Sequence, residues 1–455
     1  MRVVQAIRRP AVLLPVAIIL LSAGIRLYGL NNPQKFIGDE IYYVVDAARY
    51  IDTPVVYTDV FDLGIKDNER SWMHPPGGKL IIAASIKAFG LNPFGWRISA
   101  AVFGVVGIVL VELTGVVVWR SVWWASLAAL LLSLDGLHIV HSRMAMLDIY
   151  ETTFISAGIL CLALEWRRRL APAPEPVRSE RVARRLGQVP WWLGAGAALG
   201  LAGACKWSAY FLLVPVALAL ALAALVSGSG WRGRVGGLGR VVLAFVLVPT
   251  VIYIAAYGRF FAIHGPDVLG LIQRQREMAS FQQTFANPHV QGSQARTWPL
   301  LIRPFYYEHV VIGQPGAQLT RDVEGVGNPV LWWGWLALVP VLAWTAIRRR
   351  NFVSAAILGA YAALWVPWLL VSRPQFLWYM LPCVPIMALG VAAGLRSIGG
   401  RTGKGLGIAC AVGAIVVAAV FAPVWLGIAV PVAWSDHLHW YSAWQFPPSA
   451  PFDTE

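Results

Sequence analysis

Apolar runs recur along the chain at lengths near 20 residues, separated by polar connections. A helix rises about 1.5 Å per residue, so a run of about 20 residues spans the roughly 30 Å hydrocarbon core of a bilayer. Eleven runs predict helices, at roughly 10–30, 97–118, 121–139, 148–166, 191–206, 208–226, 239–257, 329–347, 353–371, 376–395 and 406–428. Only Lys206 and Trp207 part the fifth run from the sixth. Spanning segments must satisfy their backbone internally, so the predicted fold is an all-α polytopic membrane bundle of about 11 transmembrane helices.

The connections differ in length and charge. Two are long, 31–96 and 258–328. With the N-terminus placed in the cytoplasm, basic residues fall on alternate connections. They are Arg2, Arg8 and Arg9; Arg120; Arg167 to Arg169 with Arg178, Arg181, Arg184 and Arg185; Arg232, Arg234 and Arg240; Arg348 to Arg350; and Arg396, Arg401 and Lys404. This satisfies the positive-inside rule throughout and sends both long loops outward. An odd number of spans puts the C-terminus outside as well. The expected organisation is one transmembrane domain over 1–430 and an extracytoplasmic tail over 431–455. The run from Ala11 to Leu21 has the flanks of a signal peptide but no convincing cleavage site, and is read as an uncleaved first span. The Arg- and Pro-rich connector from Arg167 to Pro190 suits an anchor at anionic lipid.

Composition agrees with a membrane class. Hydrophobic residues make up 58% of the chain and charged residues only 13%, against about a quarter in soluble domains. The formal net charge of +14 follows from topology, and no nucleic-acid partner is expected. The four cysteines, Cys161, Cys205, Cys383 and Cys410, lie in or near apolar runs without a CxxC spacing. Neither a disulfide framework nor a zinc site is expected.

Candidate chemistry lies at the outer ends of the spans. Gly38-Asp39-Glu40 opens a short amphipathic helix on the membrane, with the acidic pair at its N-terminal end. Acids in a first turn are also ordinary helix starters. Neighbouring helical residues point about 100° apart, so the two carboxyls cannot straddle a sugar as a glycosidase pair does. One can serve as base while the other orients it. His74-Pro75-Pro76-Gly77-Gly78-Lys79 combines stiff and permissive backbone, which alone reads as a turn. Arg97, Arg143, Lys206 and Arg373 fall at the same face as Asp39 and Glu40, with His138, His141 and Asp148 nearby. An Arg143–Asp148 ion pair is the plain structural alternative there.

At these residues the sequence resembles the protein O-mannosyltransferases, membrane glycosyltransferases of the GT-C type. Asp39-Glu40 resembles the family's acidic pair, and residues 74–79 its HPPxGK stretch. Residues 94–100 resemble WRxxSA, residues 142–148 SRxxxLD, and Cys205-Lys206-Trp207 a CKW signature. Further similarities are Gln275 to Ser280, His289, Ser293, Trp298-Pro299-Leu300, Arg303-Pro304, Tyr306-Tyr307 and Gly327-Asn328-Pro329. The pattern departs from the family at Trp72, where an Asp is usual, with Asp67 or Glu69 as substitutes, and at Phe281-Gln282. The short second loop leaves no room for the soluble β-trefoil insert of eukaryotic members, as in bacterial ones.

The resemblance implies transfer of mannose from polyprenyl-phosphate mannose to Ser or Thr hydroxyls of exported proteins, with inversion. Asp39 is expected as base with Glu40 orienting it, although the spacing alone does not rank the two. Arg97 is first choice for the donor phosphate, with Arg143, Lys206 and Arg373 as further candidates. His74, Pro75, Pro76, Asp148 and Asn328 are expected to position loop and substrate. No metal or other cofactor is expected. Expected partners are the lipid-linked sugar, Ser/Thr-rich segments of secreted proteins, the translocon and membrane lipids. The expected location is the plasma membrane. The same acidic loop would serve a GT-C enzyme moving sugar to a lipid or cell-wall glycan. A lipid or sugar transporter should instead show internal repeats and midplane charges.

Overall fold

The computed structural model describes residues 10–53, 73–170, 190–228, 230–284, 289–314 and 318–445. Each of the eleven apolar runs falls on a helix. In chain order the helices are α1 (Pro10–Leu27), α2 (Glu40–Tyr50), α3 (Gly77–Phe89), α4 (Pro93–Trp119), α5 (Val122–Ser133), α6 (Gly136–His141), α7 (Leu147–Leu170) and α8 (Trp191–Cys205). Then come α9 (Trp207–Val226), α10 (Gly230–Ala256), α11 (Gly258–His264), α12 (Val268–Thr284), α13 (Pro329–Arg348), α14 (Phe352–Leu370), α15 (Leu377–Ile398), α16 (Gly400–Leu426) and α17 (Val432–Leu438). Among the described residues eight helices are long and apolar enough to cross a membrane: α4, α7, α9, α10, α13, α14, α15 and α16. Three of the expected spans, α1, α5 and α8, are shorter apolar helices. The expected count of 11 full-length crossings is therefore not met by length alone.

Close backbone approach explains part of the packing. A Cβ on Gly196 of α8 would lie 1.7 Å from the Ala244 carbonyl oxygen of α10, and one on Gly200 2.7 Å from Pro249. Small residues let helices meet where lipid supplies no hydrophobic drive. α15 runs through the middle of the bundle and is almost wholly buried.

The bundle has two unlike ends. At one, Arg167 from the end of α7 donates to the Val117 and Val118 carbonyls at the end of α4. Arg120, Arg348 and Arg396 also lie at the C-terminal ends of helices or just beyond them. At the other end the starts of α4 and α7 meet the two long connections. Of the basic residues expected in the cytoplasm, Arg2, Arg8, Arg9, Arg178, Arg181, Arg184 and Arg185 lie outside the described residues, as do Asp67, Glu69 and Trp72.

The second long connection departs from an all-helical fold. Its chain forms β1 (Phe305–Ile312) and β2 (Leu319–Gly325), joined by β3 (Val430–Pro431) into an antiparallel sheet of order β1-β2-β3. The register shifts between Tyr306 and Glu308, so Tyr307 bulges out of the pairing. Of the expected tail, the described residues 431–445 pack onto this sheet, and 446–455 lie outside the described residues. Ser435 donates to Asp322 at 2.9 Å, and the Tyr306 hydroxyl meets His439 Nε2 at 2.7 Å.

Candidate active site

The first loop is fixed by a saturated ion pair. Asn92 caps α4 by accepting from the Gly95 N–H at 2.9 Å, with Pro93 at its first position; both are favoured helix starters. One turn on, Arg97 reaches Glu40 through two parallel bonds, Nε–Oε1 at 2.8 Å and Nη2–Oε2 at 2.7 Å. Arg97 also donates to the Pro33 and Lys35 carbonyls, each at 2.8 Å. Glu40 accepts from the Ile37 N–H at 3.1 Å and the Ala145 N–H at 2.9 Å. Both side chains are wholly buried. A forked Arg–carboxylate pair with its remaining capacity satisfied is a rigid joint, here tying the first loop to the α6–α7 turn.

This geometry gives Arg97 a different task from the phosphate binding expected of it, because its donors are already used. Arg143 is committed through one of its nitrogens. Its Nη1 donates to the Ile25, Arg26 and Tyr28 carbonyls at 3.1, 3.2 and 2.5 Å. It therefore closes off the C-terminal end of α1, where helix carbonyls lack partners. It makes no ion pair with Asp148. Asn328 is a buried cap for α13, accepting from the Val330 N–H at 3.0 Å. Its amide donates to the Leu134 and Ala414 carbonyls at 3.0 and 3.1 Å. That joins three helices and leaves the expected substrate-positioning role without a contact in the site. His138 turns away too, meeting the buried Arg26 at 2.8 Å.

Asp39 is the contrasting neighbour. It precedes α2 without capping it and is half-buried. Its recorded side-chain contact is the Tyr43 hydroxyl, which donates at a long 3.4 Å. Burial, with Asp148 second, pushes its carboxyl up to about 6, against the opposing pull of Lys206 and Tyr43. A carboxylate raised toward neutrality is a stronger base than a solvated one.

Two glycines bring the cationic side of the site close. A Cβ on Gly77 would lie 2.6 Å from the Ala204 carbonyl oxygen, and one on Gly78 2.7 Å from the Leu147 side chain. The chain from His74 through Pro75 and Pro76 can therefore press the start of α3 against Cys205-Lys206 and the start of α7. There Lys206 Nζ meets Asp148 Oδ1 at 2.6 Å. Burial lowers the Lys206 ammonium, but Asp148, Tyr379 and Glu151 together outweigh it and the net shift is upward. Lys206 lies 4.7 Å from the centre of the Tyr379 ring and Arg373 5.4 Å from the same centre. Among the described residues Arg373 has no carboxylate partner and is half-buried. His74 sits 6.1 Å from the Tyr43 ring. Burial holds it well below the usual histidine range, as do the Lys206, Lys79 and Arg373 charges.

Asp39, His74, Asp148, Lys206 and Arg373 are thus brought around one spot, while Arg97, Arg143 and Asn328 hold the surrounding elements together. Tyr43, Tyr307 and Tyr379 were not singled out as site residues from the sequence. Only the bulge at Tyr307 and the 3-10 opening of α15 bring two of them here. His141 joins them, its Nε2 lying 2.7 Å from the Tyr307 hydroxyl.

With the geometry in place, comparison with known proteins is direct. The family model described as dolichyl-phosphate-mannose-protein mannosyltransferase matches residues 16–266, more than half of the chain. A polyprenol-phosphate-mannose–protein mannosyltransferase of Mycobacterium tuberculosis is 32% identical over 427 residues, covering 84% of this chain and 79% of the relative. That of Mycolicibacterium smegmatis is 31% identical, covering 83% and 80%. Among solved structures, the Saccharomyces cerevisiae Pmt1-Pmt2 complex bound to the sugar donor aligns with a TM-score of 0.76. The identity is 14%, with 97% of this chain and 93% of that chain covered. ArnT from Cupriavidus metallidurans, bound to undecaprenyl phosphate, gives a TM-score of 0.56 at 17% identity, covering 90% and 63%. These two show the fold, and the sequence relatives and the family model go further: the chain belongs to the dolichyl-phosphate-mannose-protein mannosyltransferase family of multi-pass membrane glycosyltransferases.

Proposed function

We propose that the chain moves mannose from a polyprenyl phosphate to a Ser or Thr hydroxyl of an exported protein. The observation that carries the mechanism is the raised, under-bonded Asp39 carboxylate facing the Lys206–Asp148 pair and Arg373. A hydroxyl is a poor nucleophile, so Asp39 takes its proton as the oxygen attacks the anomeric carbon. The bond from that carbon to the phosphate oxygen breaks on the opposite face, which inverts the centre. The departing phosphate carries its own negative charge and needs cations more than a proton. Arg373 supplies them with Lys206, while Asp148 holds Lys206 in place. Glu40 positions Asp39 through the Arg97 joint. His74, kept neutral, shapes the pocket beside Tyr43 without adding charge. No cofactor or metal takes part in this scheme.

We place this site on the outer face of the plasma membrane, with the N-terminus in the cytoplasm. Support comes from the arginines at the far ends of α4, α7, α13 and α15, where positive charge favours the cytoplasmic side. The leaving group is then a lipid headgroup already at the interface, and acceptors meet the site as they emerge from the translocon. The test is transfer from radiolabelled polyprenyl-phosphate mannose to a Ser/Thr/Pro-rich peptide in purified membranes, with wild type beside Asp39→Asn. Label on the peptide with wild type alone is the expected result. Equal labelling by both proteins would remove Asp39 from the role of base.

A further inference from the structure

The sheet and the first loop together build a slot around one aromatic ring. A Cβ on Gly38 would lie 2.6 Å from Tyr307 Cδ1, and a Cβ on Gly325 2.8 Å from Tyr307 Cε2. Two glycines, from two loops, thus flank Tyr307. Gly38 also holds a φ of +54°, which glycine alone adopts without strain. The register shift at Tyr307 turns this residue out of the pairing that holds Tyr306 against the C-terminal segment. Bulges re-aim single side chains in this way. So much backbone accommodation fixes the ring, and with it the hydroxyl, far more tightly than packing alone requires.

The hydroxyl is buried, and His141 Nε2 at 2.7 Å is its partner among the described residues. His141 Nδ1 is buried without a partner. A proton on Nδ1 would leave an orphaned N–H, which is rarer and costlier than an unused lone pair. The favoured tautomer therefore carries its proton on Nε2 and donates to Tyr307. Burial, pushing His141 down to about 4, keeps it in this neutral form. The Tyr307 O–H is then left to donate elsewhere. Asp148, Asp39 and Tyr379 all act on it electrostatically, so it lies at the same site as they do. An anionic phosphate belongs against Arg373 and Lys206. What belongs beside Tyr307 is a neutral polyol.

We infer that Tyr307, oriented by His141, donates a hydrogen bond to one ring hydroxyl of the transferred sugar and so sets which sugar is accepted. This rests on the sugar-transfer reading above. A site built to bond a substrate hydroxyl rejects the analogue lacking it, because a buried group is left unpaired.

The test uses the full-length protein, polyprenyl-phosphate mannose, and a set of analogues each lacking one mannose hydroxyl. The wild type should use one analogue distinctly worse than the rest. Tyr307→Phe keeps the ring in its slot and removes only the hydroxyl. It should use the mannose donor about three- to tenfold less well and should no longer distinguish that analogue from mannose. His141→Phe should behave as Tyr307→Phe does. His141→Gln, whose amide places a donor near the Nε2 position, should restore most of the discrimination. Equal losses on every analogue for Tyr307→Phe would mean a contact to phosphate or a purely structural role, and would overturn the inference. So would a Tyr307→Phe protein with wild-type kcat/KM on all donors. A folded wild type that transfers from none of them fails at the earlier step and overturns the mannose-transfer reading itself.

Discussion

Asp39 and Glu40 are adjacent in sequence and belong to opposite kinds of surroundings. Glu40 is wholly buried and accepts four hydrogen bonds, two from Arg97 and two from backbone N–H groups. Asp39 is half-buried, and its recorded hydrogen bond is one at 3.4 Å. A buried ionised carboxylate without partners is costly, so the bonds around Glu40 are the condition for its burial. Asp39 keeps its bonding capacity unspent. The cations divide in the same way: Arg97 is saturated by acid and carbonyls, whereas Arg373 has no carboxylate partner among the described residues. In this molecule saturation marks the frame and shortage marks the place where substrate completes the bonding.

The sharpest way to break this comparison is to neutralise Asp39 and, separately, to strip Glu40 of its cationic partner. Asp39→Asn should lower kcat by about 100- to 10,000-fold, the usual worth of a positioned base, with thermal unfolding in detergent unchanged. Removing the Glu40 partner instead should act on folding. Arg97→Ala leaves a buried charge alone and should destabilise by about 3–5 kcal/mol, read as a large fall in melting temperature and in yield. Its activity per folded molecule should exceed that of Asp39→Asn. An Arg97→Ala protein that melts like wild type but no longer uses the lipid-linked sugar would reverse the assignment, making Arg97 a ligand of the phosphate.

Arg373→Ala carries the next effect. Loss of one charged group facing a leaving phosphate costs on the order of 100-fold in turnover, without a fall in stability, since no ion pair is broken. Arg373→Lys should recover part of it by restoring charge without the fork. If Arg373→Ala leaves turnover intact, Lys206 is the sole cation of the pair acting on the phosphate.

The frame was far more legible in the sequence than the division of labour within it. Apolar length and charge alternation located all eleven helical runs, because the bilayer imposes both. The resemblance singled out His74, Asp148 and Lys206, which lie near one another in the structure, and it also nominated Arg97 and Arg143 for phosphate. Nothing in residue type separates an arginine that binds ligand from one that holds carbonyls; only the positions of the Pro33, Lys35 and Tyr28 carbonyls decide it. Asn328 shows the same limit, since a helix cap and a substrate-binding amide look alike in sequence. The sheet was missed because residues 305–325 sit in a loop read as a connector between spans, though the run Phe305-Tyr306-Tyr307 has strand-forming residues. The bulge that aims Tyr307 has no signal in a single sequence.

The smallest effect expected is on pH dependence, and it separates the two carboxyls without any change of fold. Asp39 acts as a base only when deprotonated. Burial, and then Asp148, lift its carboxyl to about 6, so kcat/KM should climb with pH through about 6 and level off above it. One unit below that value, activity should be about a tenth of the plateau. Lys206 pulls Asp39 the other way. Lys206→Met should therefore move the inflection upward, whatever it does to the plateau, and the unpaired Asp148 would push in the same direction. Arg373→Lys keeps its positive charge and should leave the inflection in place. A profile that is flat from pH 5 to pH 8 with chemistry rate-limiting would mean that the proton goes to a group that does not titrate there. The under-bonded carboxylate would then have to serve the substrate by a contact other than proton transfer.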